Sequence, residues 1–235
     1  MRYIGSKVKL LDNIESVIIE NTKNAKIFCD IFSGTSAVAK HFKNKFEIIS
    51  NDFLYFSYVI QRATIKNNSI PSFSKLHELL RCDVFDYLNS IDENESLVFD
   101  ESKFLIRNNY SSYCGRNYLS EQNARIVDKW RLTINKWLND DLISEDDYYY
   151  LVACVVETIP FYSNISGTYG AFLKTWDKRA LKKIELVKID VENNNRNNEC
   201  YNEDSDSLIN HIHGDILYID PPYNERQYLH NYHLL

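Results

Sequence analysis

The feature that most constrains this chain is an apolar run at residues 216–219, closed by Asp220-Pro221-Pro222-Tyr223. Four consecutive apolar residues before such a breaker predict a buried strand. Proline lacks an amide hydrogen and cannot continue a central strand, so two prolines force a rigid, extended exit. This exit would present the Asp220 carboxylate and the Pro221 carbonyl as paired acceptors, which match the two donors of an exocyclic amino group.

Two earlier apolar runs, at residues 25–32 and 46–50, also predict buried strands that end in polar turns. Apolar residues with helical spacing predict a helix before the first run, at residues 10–20. The same spacing predicts a helix between the two runs, at residues 36–42, and another after the second run, at residues 53–65. The order of strand, helix, strand and helix predicts a parallel sheet with crossover helices.

The middle of the chain has a different pattern. Residues 82–85 are a weaker candidate for a strand or a turn, and residues 122–138 and 148–158 have helical spacing. The asparagine-rich segment 193–198 predicts an exposed, mobile loop.

These patterns predict an α/β fold in two parts. Residues 1–91 and 208–235 would form a discontinuous domain around the sheet, and residues 92–207 a mostly helical insertion. Only about four strands can be counted, and the sequence ends inside a segment with amphipathic helical spacing. The chain is either naturally short or, as we expect, C-terminally truncated, and it should then be poorly active alone or need a second polypeptide.

Composition excludes several classes of protein. The longest apolar runs fall well short of the ~20 residues of a membrane span, and the N-terminus lacks the apolar core of a signal peptide. The five cysteines are scattered and never form a Cys-x-x-Cys pair, which argues against a disulfide framework or a zinc site and favours a reducing cytoplasm. The histidine pairs near residues 211 and 230 lack neighbouring thiols or carboxylate clusters, so no metal site is predicted.

The charge distribution is uneven. The net charge of −6 counts mildly against a nucleic-acid partner, because phosphate neutralisation favours a basic surface. However, residues 174–188 contain six lysines and arginines, so one face could still be basic. A solvated helix face is the alternative interpretation of this run.

The first two predicted strands carry the signals for a cofactor. Ligands of open parallel sheets bind beyond the carboxyl ends of the strands. Gly34 would let the backbone approach such a ligand, and Asp52, 18 positions later, is placed to bind ribose hydroxyls. Neither a Gly-x-Gly-x-x-Gly turn nor a Walker lysine loop is present, which favours a nucleoside with little phosphate, such as S-adenosylmethionine, over a nicotinamide dinucleotide.

With such a cofactor, the Asp-Pro-Pro-Tyr segment predicts methylation of an amino nitrogen. Asp220 and the Pro221 carbonyl would hold both amino hydrogens and aim the nitrogen lone pair at the sulfonium methyl, so catalysis would be mainly positioning and electrostatics. Tyr223 would stack on a base that has left the duplex.

At these motifs the chain resembles the DNA adenine-N6 methyltransferases of the alpha motif order, the Dam-like group of restriction–modification systems. Residues 2–10 resemble the N-terminal cofactor segment, residues 30–36 the glycine loop, and Asn51-Asp52 the ribose-binding acid. Residues 220–223 resemble the catalytic motif. The resemblance touches nearly the whole chain and is vague through residues 89–109 and 190–207.

The resemblance implies a partial Rossmann-like methyltransferase sheet that uses S-adenosylmethionine, with an inserted, mostly helical target-recognition region. It implies a catalytic set of Asp220, Pro221, Pro222 and Tyr223. It implies a cofactor-binding set of Tyr3, Gly5, Ser6, Lys7, Asp30, Phe32, Ser33, Gly34, Thr35, Ser36, Asp52, Phe53, Asp83 and Val84.

The resemblance also implies what the chain acts on. The substrate would be double-stranded DNA with a flipped adenine, and a cognate restriction endonuclease would be a partner. The implied DNA-binding set comprises Tyr169, Lys174, Lys178, Arg179, Lys182 and Lys183. Asn164, Ser166 and Thr168 are further candidates for contacts to bases or backbone.

Three alternatives stay open. Cytosine-N4 enzymes usually have serine at the first position of the tetrapeptide, so Asp220 favours adenine as the target. RNA adenine is also possible, because two acceptors for an amino group do not sense the sugar. A non-catalytic remnant that binds cofactor or DNA is the third alternative.

Overall fold

A computed structural model describes residues 7–92, 99–222 and 232–235. Their contacts divide the chain into two compact units. The sheet unit comprises the described residues 7–71 and 190–222, and the helical unit comprises the described residues 72–189 and 232–235.

The described strands are β1 (Ile27–Asp30), β2 (Glu47–Asn51), β3 (Glu199–Tyr201) and β4 (Ile216–Tyr218). The described α-helices are α1 (Leu11–Asn21), α2 (Ala37–Lys43), α3 (Tyr55–Gln61), α4 (Ser74–Leu80), α5 (Val84–Ser90), α6 (Leu105–Tyr110), α7 (Glu121–Asn139), α8 (Glu145–Thr158) and α9 (Ser205–Leu208). Single turns of 3₁₀ helix lie at Val8–Leu10, Glu101–Lys103, Ser112–Cys114 and Ile159–Phe161, and a π-helical turn lies at Arg62–Lys66.

The four strands form one sheet in the order β3-β2-β1-β4, and all three neighbouring pairs are parallel. Phe28 of β1 lies opposite Ile48 on one side and Ile216 on the other. The α/β fold with a parallel sheet is therefore confirmed. Since the strands are parallel, their carboxyl ends meet at one edge, where ligands of such sheets bind.

Side chains of β1 alternate between two apolar layers. Phe28 is fully buried and stacks on Phe42 of α2 with ring centroids 4.8 Å apart. The next residue, Cys29, packs on the opposite face with Leu208 of α9. This period of two buries both faces of the strand, as expected for a central strand of a parallel sheet.

The edge strand β3 was not predicted, because its three residues directly follow the asparagine-rich segment. That segment is a loop in which Asn193, Asn195 and Asn197 are exposed, as predicted, but its other asparagines bind it to the sheet. Asn198 is buried, and its Oδ1 accepts hydrogen bonds from the Ile48 amide and from Asn194 Nδ2, at 3.0 and 2.9 Å. Asn194 Nδ2 also donates to the Phe46 carbonyl. The asparagine amides therefore bind the segment to the edge of β2 and lead the chain into β3.

Residues 82–85 are not a strand. Asp83 is the N-cap of α5, and its Oδ1 accepts hydrogen bonds from the amides of Phe85 and Asp86 at 2.8 and 3.4 Å. The apolar residues there, Val84 and Phe85, instead belong to the first turn of a helix and are buried.

The helical unit is built around α7. Trp130 is fully buried, and its indole nitrogen donates to the Leu88 carbonyl at 2.7 Å. Asn123 donates to the Lys182 carbonyl at 2.9 Å and accepts from the Ile184 amide, which fixes residues 180–184 against the helix. Among the described residues, no helix is long and apolar enough to cross a membrane.

The two units divide the chain at residues 71/72 and 189/190. The functional division inferred from sequence, residues 1–91 with 208–235 and residues 92–207, stays a prediction. Two local observations explain why the boundaries of the compact units differ from the predicted boundaries. β3 pairs with β2, so residues 199–201 belong to the sheet, and α4 and α5 belong to the helical unit.

Candidate active site

The loop after β1 is held by the acid that follows β2. The amide of Gly34 donates to Asp52 Oδ2 at 2.7 Å, and the amide of Leu54 donates to Asp52 Oδ1 at 2.8 Å. Gly34 has φ +52°, and a Cβ built there would meet no atom within 4 Å. The glycine therefore leaves open space directly beside a carboxylate at the carboxyl edge of the sheet.

Asp30, the last residue of β1, carries the most perturbed carboxyl of this edge. It is only 1% exposed, and its Oδ1 has no hydrogen-bond partner among the described residues. Burial raises the pKa of Asp30 to about 7, and the negative charges of Asp52 and Asp220 act in the same direction. Three carboxylates thus share one electrostatic neighbourhood, which would favour a cationic ligand.

Asp220, two residues past β4, is paired with a lysine from the start of the chain. Lys7 Nζ lies 2.9 Å from Asp220 Oδ2, and the two side chains are 16% and 15% exposed. Pro221 and Pro222 follow as exposed residues. The ion pair joins two motifs that the sequence analysis had assigned separately, one to the cofactor and one to catalysis.

The environment of Asp52 includes two asparagines that the sequence analysis did not assign. Asn51 is fully buried; its Nδ2 donates to the Ile31 carbonyl at 3.2 Å and its Oδ1 accepts from the Glu203 amide at 2.9 Å. Asn202 Nδ2 donates to the Asp52 carbonyl at 2.7 Å. These bonds fix the ends of β1 and β2 to the segment after β3. The position of Asn51, directly before the predicted ribose-binding Asp52, was the sequence signal that could have indicated this supporting role.

The remaining residues of this loop that were predicted to bind the cofactor lie together. The Ser33 amide donates to the Asn51 carbonyl at 2.9 Å, and the Ser36 amide donates to the Ser33 carbonyl at 2.7 Å. The Ser36 hydroxyl is buried without a hydrogen-bond partner among the described residues, and the buried Ser33 hydroxyl acts to lower the pKa of Asp30, against the larger effect of burial. Phe32 and Thr35 are half-buried in the same loop, and Phe53 is 72% exposed beside Asp52.

Some predicted residues lie outside the described part of the chain. They are Tyr3, Gly5, Ser6 and Tyr223.

Asp83 and Val84, also predicted to bind the cofactor, belong to the helical unit. Lys188 Nζ lies 3.0 Å from Asp83 Oδ2, besides the two amides that Asp83 caps. Burial acts to raise the pKa of Asp83, but Lys188 and the capping amides outweigh it, and the pKa is lowered. Val84 is a fully buried core residue. The structure gives both residues a structural role, and their contact with a cofactor stays a prediction.

The predicted DNA-binding residues divide into two groups. The basic ones are exposed on the helical unit: Lys174, Lys178, Arg179, Lys182 and Lys183. Tyr169, in contrast, is 2% exposed, and its hydroxyl lies 3.3 Å from Ser163 Oγ. Its side chain supports the interior of the unit, and a contact of Tyr169 with DNA stays a prediction.

Asn164 is likewise an internal residue. It is fully buried, and its Nδ2 donates to the carbonyls of Asn117 and Leu173 at 3.1 and 2.9 Å, while its Oδ1 accepts from the Asp177 amide. It therefore joins three loops, and a contact of Asn164 with DNA stays a prediction. Ser166 is exposed and Thr168 is half-buried in the loop that Asn164 supports.

Known proteins with similar sequences extend the likeness from these motifs to nearly the whole chain. The family model of the D12 class N6 adenine-specific DNA methyltransferases matches residues 3–235. The chain belongs to this family. The resemblance recognised in the motifs is thereby confirmed, and membership implies a methyl donor.

Several curated relatives are similar over the full chain. The type II methyltransferase M.FokI of Planomicrobium okeanokoites is 52% identical, the modification methylase StsI of Streptococcus sanguinis 45%, and the type II methyltransferase M.NlaIII of Neisseria lactamica 39%. The chain spans 36% and 35% of the lengths of the first two and 68% of the third. No solved structure matches the chain significantly.

The residues present fit the methyl donor S-adenosylmethionine. The unpartnered oxygen of Asp30 suits a cationic group, the Asp52 carboxylate retains acceptor capacity for hydroxyls, and the open side of Gly34 leaves room for close approach.

Proposed function

We propose that this family member transfers a methyl group from S-adenosylmethionine to N6 of a flipped adenine in double-stranded DNA. The observation that carries the proposal is the convergence of Asp30, Asp52 and Asp220 at the carboxyl ends of three adjacent parallel strands. Two of these carboxylates suit the cofactor, and the third begins the segment suited to an amino group.

Each cofactor residue would have a distinct role. Asp52, whose position is fixed by the amides of Gly34 and Leu54, would accept hydrogen bonds from ribose hydroxyls. Asp30 would face the positive charge of the methionine part, which would stabilise its ionised form. When bound, the cofactor would supply an electrophilic methyl group on a sulfonium.

The amino group of adenine would be held by Asp220 and the Pro221 carbonyl. Two acceptors in fixed positions would bind both amino hydrogens and orient the nitrogen lone pair. The rigid Pro221-Pro222 exit keeps these acceptors from reorienting. Lys7, now bonded to Asp220, would hold that carboxylate in place before the base arrives.

The helical unit would bind the DNA. Its exposed lysines and Arg179 would contact phosphates, a sequence-independent interaction that positions the duplex. Base contacts would have to come from other residues of the unit.

The experiment is to express the chain in a host without DNA methylation and to map modified bases in the genomic DNA. N6-methyladenine in one short sequence context supports the proposal. Asp220→Ala should abolish the mark while the purified variant keeps its thermal midpoint, and Asp12→Ala, an exposed carboxylate on α1, is the matched control. Retained methylation by a folded Asp220→Ala variant would overturn the assignment.

Parallel assays define the acceptor. Purified chain, radiolabelled S-adenosylmethionine and either duplex DNA or RNA of the same sequence separate DNA from RNA as substrate. Methylcytosine in the mapped DNA would instead identify cytosine N4 as the target.

We further propose that a cognate restriction endonuclease is the biological partner. The relatives carry the names of type II methyltransferases and modification methylases. Plasmid recovered from cells expressing the chain should resist one type II endonuclease that cuts control plasmid. Cleavage by every enzyme that reads the mapped sequence would refute this pairing.

A further inference from the structure

Residues 112–117 form an exposed loop of the helical unit, here called the Tyr113 loop. Its base is closed by a bridge between Ser111 and Leu119, and it turns at Gly115, where φ is +78°. Ser111 is fully buried, and its hydroxyl accepts a hydrogen bond from the Tyr113 amide at 3.1 Å. The loop is thus exposed at its tip and fixed at its base.

Tyr113 is 57% exposed, yet one face of its ring is covered. The guanidinium carbon of Arg107 lies 3.6 Å from the ring centroid. Arg107 is itself held by Glu101 and Glu121, each at 3.2 Å, and is nearly buried. A ring fixed on one face by a rigid, planar cation presents its other face to the solvent.

The Tyr113 loop shares its support with the loop at residues 166–172. Asn164 donates to the carbonyl of Asn117 at 3.1 Å, and its own amide donates to the carbonyl of Tyr118 at 2.8 Å. The same Asn164 side chain donates to the Leu173 carbonyl at 2.9 Å. Tyr118 also packs against Phe172 with ring centroids 5.2 Å apart. The two exposed loops therefore leave the unit from one common base.

Charge around Tyr113 favours a base rather than a phosphate as the contact. The two arginines Arg107 and Arg125 are paired with the two glutamates Glu101 and Glu121, so these four formal charges cancel beneath the ring. Arg116, exposed on the same loop, adds a positive charge beyond that network.

We propose that the exposed face of Tyr113 is a stacking platform for a DNA base, and that Arg116 contacts the adjacent phosphate. The proposal rests on the proposed function, because it takes DNA as the ligand. It adds a base-contacting element outside the predicted basic run. Stacking suits any base, since every base has a π face, so Tyr113 would stabilise an unstacked or displaced base without reading its identity.

The test is DNA affinity without cofactor, measured by fluorescence anisotropy with a labelled mixed-sequence duplex of about 20 base pairs. Tyr113→Ala should weaken binding about five- to hundredfold, and Tyr113→Phe should stay within about twofold of wild type, because the phenyl ring still stacks. Arg116→Ala should reduce the slope of log affinity against log salt by about 1, which Tyr113→Ala should leave unchanged. Leu79→Ala, also an exposed apolar side chain of this unit, is the control.

A second measurement reads the contact directly. Tyr113→Trp should lose fluorescence when duplex is added, because a stacked base quenches indole, and Leu79→Trp should not. The proposal is overturned if Tyr113→Ala and Leu79→Ala bind the duplex with equal affinity, or if Tyr113→Phe binds it as weakly as Tyr113→Ala. It is also overturned if the tryptophans introduced at positions 113 and 79 give the same change in fluorescence when duplex is added. If the Tyr113 loop instead binds a partner protein, adding DNA would change the fluorescence of neither introduced tryptophan. Methylation mapping tests the proposed function, whereas the binding and fluorescence measurements test the stacking of Tyr113. Failure of one proposal can therefore be distinguished from failure of the other.

Discussion

The ammonium of Lys7 lies 2.9 Å from the carboxylate of Asp220, although Lys7 is the first described residue and Asp220 lies near the end of the chain. Both side chains are mostly buried, so solvent screens the pair less than an exposed one. The N-terminal motif is thereby bound to the segment that we predict to be catalytic. In the proposed reaction, this contact would keep one acceptor of the amino group in a defined position.

Replacing Lys7 should therefore slow methyl transfer more than it weakens cofactor binding. We expect Lys7→Gln to lower kcat about tenfold or more, because the Asp220 carboxylate loses its fixed orientation. Lys7→Arg should retain part of the rate. Methylation kinetics give kcat, calorimetry gives cofactor affinity, and Lys9→Gln, an exposed lysine in the same segment, is the control. A wild-type kcat in Lys7→Gln would contradict this role.

Asp30→Asn should stabilise the protein at alkaline pH and weaken cofactor binding. The folded-state pKa of Asp30 is raised from 3.8 to about 7, so the folded protein holds a proton that the unfolded chain releases. Its contribution to stability is thus present below pH 4 and is lost as pH rises through 7. The neutral amide avoids that loss, and the expected gain at pH 8 is on the order of a few kcal/mol, since each pKa unit corresponds to about 1.4 kcal/mol.

Denaturant unfolding at pH 5 and pH 8 measures the effect of Asp30→Asn. The difference between variant and wild type should grow with pH, and an equal difference at both values would show that burial does not perturb this carboxyl. Calorimetry with S-adenosylmethionine should report lower affinity for the variant despite its higher stability.

Gly34→Ala separates backbone strain from ligand space. The positive φ of Gly34 should cost about 1 kcal/mol with alanine, while the open surroundings of its Cβ predict no clash in the free protein. Cofactor affinity should fall about tenfold or more, because the methyl group would occupy the approach path. Gly115→Ala, at another positive φ in the helical unit, carries similar strain and should leave cofactor affinity unchanged. Equal affinity in both variants would place the cofactor elsewhere.

Gly214→Ala should destabilise the sheet unit through one contact. A Cβ at Gly214 would lie 2.3 Å from the Cys29 sulfur, which is buried in β1. We expect a loss of about 1–3 kcal/mol in the free energy of unfolding, as for overpacked cores. Cys29→Ala removes the sulfur, so the double variant should be more stable than the sum of the single changes predicts. Additive losses in urea unfolding would show that the strain arises from another neighbour.

Lys182 and Lys183 are exposed, so their replacement should change DNA binding without changing the fold. The double change to alanine should reduce the salt slope of duplex affinity by about 2, since each phosphate contact contributes about 0.9. Lys103 and Lys136 changed to alanine, exposed lysines of the same unit, are the matched control. An unchanged slope in the Lys182/Lys183 variant would remove these residues from the interface.

The sequence by itself determined three of the four described strands of the sheet, and the chain breakers that end them. Strands β1, β2 and β4 lie where short apolar runs meet Ser33-Gly34, Asn51-Asp52 and Asp220-Pro221. Burial of both faces of a parallel strand leaves a continuous apolar run, and chain breakers are local, so both signals are present in the sequence.

Only the tertiary structure decided which side chains these elements bring together. Asn198 is buried because the edge of β2 needs a partner for the Ile48 amide, and Tyr169 is buried because Ser163 and Tyr118 surround it. Asp83 is the N-cap of a helix, where the sequence suggested a strand or a turn. The contact of Lys7 with Asp220 joins the two ends of the described chain. Such pairings depend on packing between distant residues, which the periodicity of a single segment does not encode.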